Sequence, residues 1–245
     1  MTYIENPKTK GSGILCAIPQ VGLCSNRCEE CFFQSGWSYL EPLSANLPNA
    51  PTPEQARGYV VRVNDGNDSN VQRDLVISST DCYQDRFFNT AIPRALESFP
   101  GPVVLTVNPG KFTDNTFYSL DPIPPNLMFV RIRANTWNMP NVGKRAIDYY
   151  TSRGVCVVLT FMAYHSAKSI PVPYRVDYLL RKRTLNSYFA ITTDAWRKIM
   201  RRHEDNILVR SCGFEGERGK TACRLCGNCL REFYATRERM KSNAD

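Results

Sequence analysis

Histidine is nearly absent, with two residues in 245. That scarcity argues against a zinc site built on imidazoles and against a Ser-His-Asp hydrolase. Long apolar runs are also missing. The longest, Val155 to Ala163, falls well short of the roughly 20 residues that a membrane helix needs, so no membrane partner is expected. The opening stretch MTYIENPKTK has no apolar core of a secretory signal, and a cytoplasmic location is expected. Neither low hydrophobicity nor excess charge marks the chain as disordered or fibrous, since 42% of residues are apolar and 22% charged. No repeat of fixed period is visible. The abundant residue is cysteine: ten occur, in a chain expected to stay in a reducing compartment. There, cysteines point to metal or redox chemistry rather than to a disulfide framework.

Short apolar runs alternate with helical signals. Gly13–Pro19, Asp74–Ser79, Pro102–Asn108, Leu127–Ala134, Val155–Ala163 and Asn206–Ser211 read as strands buried on both faces of a parallel sheet. Thr52-Pro53-Glu54-Gln55 reads as a capping box with proline at the first helical position. Arg86–Phe99, Val142–Arg153 and Asp194–His203 read as helices, with Asn141 and Thr193 as N-caps and Gly154 as a terminating glycine. Six such alternations predict an α/β fold, a partial (βα)6 barrel with a short C-terminal cysteine-rich extension; a complete eightfold barrel needs about 250 residues. The expected division is a barrel domain over 1–210 and a cysteine segment over 211–245.

Seven cysteines fall in two sets. Cys24, Cys28 and Cys31 are spaced C-x3-C-x2-C in the loop after the first expected strand. Three thiolates this close can ligate three irons of a cubane and leave the fourth open for a ligand; zinc with a remote fourth ligand is the alternative. Cys212, Cys223, Cys226 and Cys229 supply four thiolates, enough to close a tetrahedral zinc or a second 4Fe–4S cluster. Their C-x2-C-x2-C run is similar to ferredoxin-type spacing. Cys16 and Cys156 read as core residues, whereas Cys82 adjoins a polar motif.

The loop CSNRCEEC after the first strand of a six-unit α/β pattern resembles the radical S-adenosylmethionine (radical SAM) superfamily. The resemblance covers roughly residues 13–211. It implies a 4Fe–4S cluster whose open iron binds S-adenosylmethionine, which is cleaved reductively to a 5′-deoxyadenosyl radical that takes hydrogen from a substrate. A reductant such as flavodoxin or ferredoxin is implied as a partner. The family usually has an aromatic residue before the third cysteine. Here that residue is Glu30, and Phe32 and Phe33 follow as the aromatic candidates for the adenine. Where most members have a Gly-Gly-Glu-type turn, this chain has Ser79-Thr80-Asp81-Cys82-Tyr83-Gln84. That motif resembles the spore photoproduct lyase-like branch, and it makes Ser79, Thr80 and Asp81 the expected contacts to the cofactor's ammonium. The alternative is a strand-end turn with Asp81 as a helix cap.

Arg131 and Arg133 interrupt an apolar strand and project to one face. Arg133, nearer the carboxyl end, is the candidate for a carboxylate or an anionic substrate, with structural ion pairs as the alternative. Asn108, Asn135 and Thr160 at neighbouring strand ends rank below it. Twelve Lys or Arg against six Asp or Glu between Arg197 and Lys241 place +6 of the net +8 there. Basic residues also interleave with aromatics in 174–189, a pattern found in nucleic-acid binders and, more often, on solvated helix faces. The leading expectation is a radical SAM enzyme with one catalytic and one auxiliary 4Fe–4S cluster, needing no side-chain acid or base. Its substrate would be a nucleic-acid base, a peptide side chain or a small molecule. The competing expectation is a non-enzymatic zinc protein that binds nucleic acid.

Overall fold

A computed structural model of the chain describes residues 2–28, 31, 33, 39–107, 119–182, 187–213 and 223–242. Six strands come first: β1 (Ile14–Ala17), β2 (Val60–Val63), β3 (Arg86–Thr90), β4 (Val103–Val107), β5 (Leu127–Ala134) and β6 (Val157–Phe161). The short β7 (Ala163–Tyr164), β8 (Tyr178–Arg181) and β9 (Tyr188–Ile191) form a separate antiparallel sheet, and β10 (Val209–Ser211) returns to the first. The main sheet has seven parallel strands in the order β1-β2-β3-β4-β5-β6-β10. The fold is therefore α/β, and among the described residues the sheet is open, with edges at β1 and β10, and no closed barrel is seen. Among the described residues no helix is long and apolar enough to cross a membrane.

Strand residues alternate between two differently covered faces. Val61, Val63, Phe88, Leu105, Ile132 and Leu159 point to one face. There they meet Ala56 of α2 (Pro53–Ala56), Val76 of α3 (Arg73–Ser79), Ile147 and Tyr150 of α4 (Lys144–Thr151), and Trp196 and Ile199 of α5 (Thr193–Arg201). The helix α1 (Leu43–Asn46) lies apart, with Leu43 packed on Ile18 and Leu40. Val60, Phe87, Val104, Phe129 and Val158 point to the other face and bury Phe233 of α7 (Asn228–Ser242), which follows α6 (Cys223–Cys226).

The direction of α7 places the C-terminal cysteines. At its start Asn228 Nδ2 donates to Ser211 O at 2.8 Å, at the carboxyl end of β10. At its far end Arg239 Nη2 donates to Leu127 O at 3.0 Å, at the amino end of β5, and Arg237 pairs with Asp85 just before β3. The helix thus crosses the sheet from the carboxyl end of β10 towards the amino ends of β3 and β5, with Cys229 and Leu230 against the face that it covers.

Several elements depart from the sequence reading. Asp74–Ser79 is α3 and not a strand: only Val76 is buried, Leu75 is exposed, and the sheet position belongs to Val60–Val63. A short apolar run cannot be assigned by periodicity alone, and this one lies on a helix of seven residues. Arg86–Phe99 is not a helix. Its first five residues are β3, and Pro93 stands where a helix interior would need a donor. Thr192 rather than Thr193 caps α5, its side chain accepting from Ala195 N at 3.2 Å. Asn141 lies inside a π-turn, Met139–Gly143, that leads into α4. The capping box at Thr52 is present in both directions, and Gly154 has φ +73°, the left-handed geometry that ends a helix.

Candidate functional site

The loop leaving β1 carries Cys24, Cys28 and Cys31, and a buried carboxylate anchors it. Asp68, in the loop after β2, accepts from Thr90 Oγ1 (2.7 Å), Ala91 N (2.7 Å), Asn70 N (2.8 Å) and Asn26 Nδ2 (3.4 Å). Asn26 Nδ2 also donates to Cys28 Sγ at 3.1 Å, and Gln20 Nε2 donates to the carbonyls of Asp68 (2.9 Å) and Val71 (3.0 Å). One polar network therefore ties the loops after β1, β2 and β3 together at their carboxyl ends. Burial raises the carboxyl of Asp68 above its ordinary range despite these donors. Burial likewise pushes the Cys24 thiol up to about 11, against donation from the backbone of Asn26 and Asp68. Phe33 closes the loop over Gly66: a Cβ there would lie 2.1 Å from the ring, so only glycine allows the approach.

The second cysteine set meets the face of the sheet that α7 covers. Cys212 follows β10, its N–H bonded to Leu159 O at 2.8 Å, and Cys223 N donates to Lys8 O at 3.1 Å. Cys212 and Cys229 pack against the cluster of Val60, Phe87 and Phe129. The Cys212 thiol donates to Cys226, which raises Cys212 and holds Cys226 down at about 5. Burial raises Cys229, and the charges of Arg131 and Arg62 oppose that rise. Among the described residues no three His, Cys, Asp or Glu side chains stand in metal-holding positions.

Two arginines face this set from the same side of the sheet. Arg62 follows Val60 by two residues on β2, and Arg131 follows Phe129 by two on β5, so both share the face of that cluster. Arg131 Nη1 donates to Asn89 Oδ1 at 3.3 Å, and Asn89 Nδ2 to Asn64 O at 3.0 Å. Arg62 Nη2 donates to Cys16 Sγ at 3.2 Å and Asp65 Oδ2 at 3.4 Å. Burial works against the Arg62 charge, yet Cys16, Asp65, Cys223 and Cys229 outweigh it and strengthen the cation. Arg133 lies two residues past Arg131 on the same face, beside Thr160 of β6.

The structure separates the expected cofactor residues. Ser79, Thr80 and Asp81 end α3 at the amino edge of the sheet, away from the cysteines. Thr80 Oγ1 bonds back to Val76 O at 2.7 Å, and Asp81 pairs with Arg86 at 2.9 Å, at the amino end of β3. The placement of these three at a strand's carboxyl end is thus corrected; they follow a helix and not a strand. Phe32 and Asn108 lie outside the described residues. Cys16 and Cys156 are buried, as core residues should be, whereas Cys82 is exposed.

Sequence reading missed Gln20, Asn26, Arg62, Asn64, Asp65, Asp68 and Asn89. A signal existed: the β-branched run Val60–Val63 is followed by seven turn-forming polar residues, Asn64 to Asn70. Seven buried polar side-chain atoms without a partner among the described residues lie at this same edge: Gln20 Oε1, Asn64 Oδ1 and Asp65 Oδ1 after β1 and β2, and Asn135 Nδ2, Thr136 Oγ1, Asn138 Nδ2 and Thr160 Oγ1 around β5 and β6. Others, such as Arg86 Nε and Asn126 Oδ1, lie at the amino ends of β3 and β5. Such buried groups are costly without a partner, so the clustering of these seven marks a place for a polar ligand. No family model, curated protein or solved structure matches the chain.

Proposed function

We propose that the chain is a radical SAM enzyme built as a partial (βα)6 barrel, with a catalytic 4Fe–4S cluster on Cys24, Cys28 and Cys31 and an auxiliary cluster on Cys212, Cys223, Cys226 and Cys229. The observation that carries this reading is the position of the C-x3-C-x2-C loop at the carboxyl end of β1, beside the collected polar atoms. Parallel α/β sheets hold their ligands at that edge. A strand order that follows the chain, with the connecting helices packed on one face, supports the partial-barrel reading.

The donor chemistry suits the group. Soft thiols are grouped in threes and fours, and Asn26 offers an N–H to the Cys28 sulfur, the kind of donor that tunes iron–sulfur sites. When bound, the catalytic cluster supplies the electron that cleaves S-adenosylmethionine and releases the 5′-deoxyadenosyl radical. The chain's own part is to hold and orient. Gln20 Oε1 and Asn64 Oδ1 are acceptors for an ammonium, and they take the role expected of Ser79, Thr80 and Asp81. The Asn135 and Asn138 carboxamides are donors for carboxylate or ribose oxygens, with Arg133 close by on β5. The substrate class stays open among a nucleic-acid base, a peptide side chain and a small molecule, and flavodoxin or ferredoxin would serve as reductant.

Anaerobic reconstitution tests the reading. Iron should reach about seven to eight per chain, and S-adenosylmethionine with a reductant should release 5′-deoxyadenosine. Cys28→Ala should abolish that release. A colourless protein carrying about two zinc would refute the proposal and favour a zinc-stabilised binding protein.

A further inference from the structure

The Arg62 side chain, 12% exposed, lies between Asp65 and the sheet face on which Cys229 packs. On one side it meets Asp65, whose Oδ2 also receives the Asn6 carboxamide and the Tyr39 hydroxyl. Asp65 adjoins Gly66, which carries the Phe33 ring of the first cysteine loop. On the other side Arg62 shares a face with Val60, and Cys229 packs on the cluster that Val60 belongs to. Leu230, the next residue, lies against Gly13 at the start of β1, where an added Cβ would be 3.2 Å from its Cδ1. The chain around Cys229 is therefore pressed onto the β1–β2 corner that holds Arg62.

The donors of Arg62 are not all used. Its Nε–H has no acceptor among the described residues, although that atom is buried. A buried cation needs its charge and its N–H groups met. Asp65 supplies one carboxylate, already shared with two neutral donors. Cys16 Sγ accepts from Nη2 at 3.2 Å, and of the C-terminal set Cys223 and Cys229 are the thiols whose ionised forms would favour the Arg62 charge.

From this geometry we infer that Arg62 is a positioning residue for the C-terminal cysteine set, donating to the anionic metal–thiolate centre those cysteines hold and dividing its charge between that centre and Asp65. Four thiolates around a cubane or a zinc ion carry net negative charge, which a buried guanidinium stabilises. The more negative reduced state of a cluster gains most, so Arg62 raises the site's reduction potential and Asp65 offsets part of that effect. The inference rests on the reading of Cys212, Cys223, Cys226 and Cys229 as an iron site.

The test uses full-length protein with Cys24, Cys28 and Cys31 replaced by alanine, so that only the C-terminal set is loaded. Bound iron is measured first, then the reduced-to-oxidised ratio at fixed potential by electron paramagnetic resonance. Arg62→Met should lower that ratio about tenfold, a plausible effect for one buried charge at close range. Arg62→Lys should stay within about threefold of the parent. Asp65→Asn removes the offsetting charge and should raise the ratio, and Arg62→Met with Asp65→Asn should return it towards the parent. Should Arg62→Met fail to fold with Asp65 left unpaired, Asp65→Asn and the double variant still decide. Shifts of the same sign in Arg62→Met and Asp65→Asn, or none beyond about twofold, would overturn the inference. If the set takes zinc in place of iron, the iron reading fails on its own. Zinc affinity then decides the inference: about tenfold weaker in Arg62→Met and retained in Arg62→Lys supports it, and equal affinity in all variants defeats it. A set that holds neither metal defeats both.

Discussion

At the residue scale, the first cysteine loop depends on two contacts that no cysteine makes. One is Asp68, which gathers four donors from three segments and holds Asn26 against Cys28. The other is the Phe33 ring over Gly66. Gly66→Ala would drive a methyl into that ring, and overpacking of this kind costs about 1–3 kcal/mol. The expected cycle is non-additive: Phe33→Ala should relieve the clash, so that the double variant is more stable than the sum of the singles by about 1 kcal/mol in urea unfolding. Strict additivity would show that the ring does not press on the turn. Little of this was legible in the sequence. Asp68 and Gly66 lie about forty residues from the cysteines, and only the pairing of β1 with β2 brings them there. The motif Ser79-Thr80-Asp81, by contrast, was conspicuous in the sequence and lies at the far edge.

At the element scale, the strands that a run of Val, Ile and Leu can announce were found: β1, β4, β5, β6 and β10 all fall within the expected runs. The two strands of the main sheet that were missed fail that test for physical reasons. Val60-Val-Arg-Val63 contains a charge, because Arg62 bonds to Cys16 and Asp65 on the face opposite Val61 and Val63. Arg86-Phe-Phe-Asn-Thr90 ends in polar residues, because Asn89 and Thr90 serve the network at the carboxyl edge. Polar side chains that bond across the sheet thus broke the apolar pattern that would have identified the strands. The helix α7 is amphipathic in an unusual setting, with one aromatic residue filling the centre of a sheet face. Phe233 contacts Phe87 with ring centroids 6.3 Å apart and is 1% exposed. Phe233→Ala should cost about 3–5 kcal/mol by chemical denaturation, as for other buried aromatics. A loss below about 1 kcal/mol would mean that α7 is an ornament on the sheet rather than part of its core.

At the scale of the whole molecule, the net charge of +8 overstates what is offered to a polyanion. Arg210 and Arg231 pair with Glu232 at 3.5 and 3.3 Å, Arg237 pairs with Asp85, and Arg239 holds the Leu127 carbonyl. The basic residues around the hollow on α5, Arg197, Lys198, Arg201 and Arg202, share it with Asp194. Binding to single-stranded RNA should therefore be weak, with a salt slope no steeper than about −3, the release expected from three or four phosphate contacts. A slope of about −6 or steeper in filter binding would restore nucleic acid as the favoured substrate. The open sheet carries a further consequence for how the molecule is made. In chain order α7 follows all seven strands, so during synthesis the sheet is complete while Phe87 and Phe129 still lack their cover. The same delay applies to Lys8, whose carbonyl waits for Cys223 from the other end of the chain. Nascent protein at that stage exposes an apolar face and an unfilled cysteine loop together. A chain halted before α7 docks should therefore aggregate more readily than the full chain.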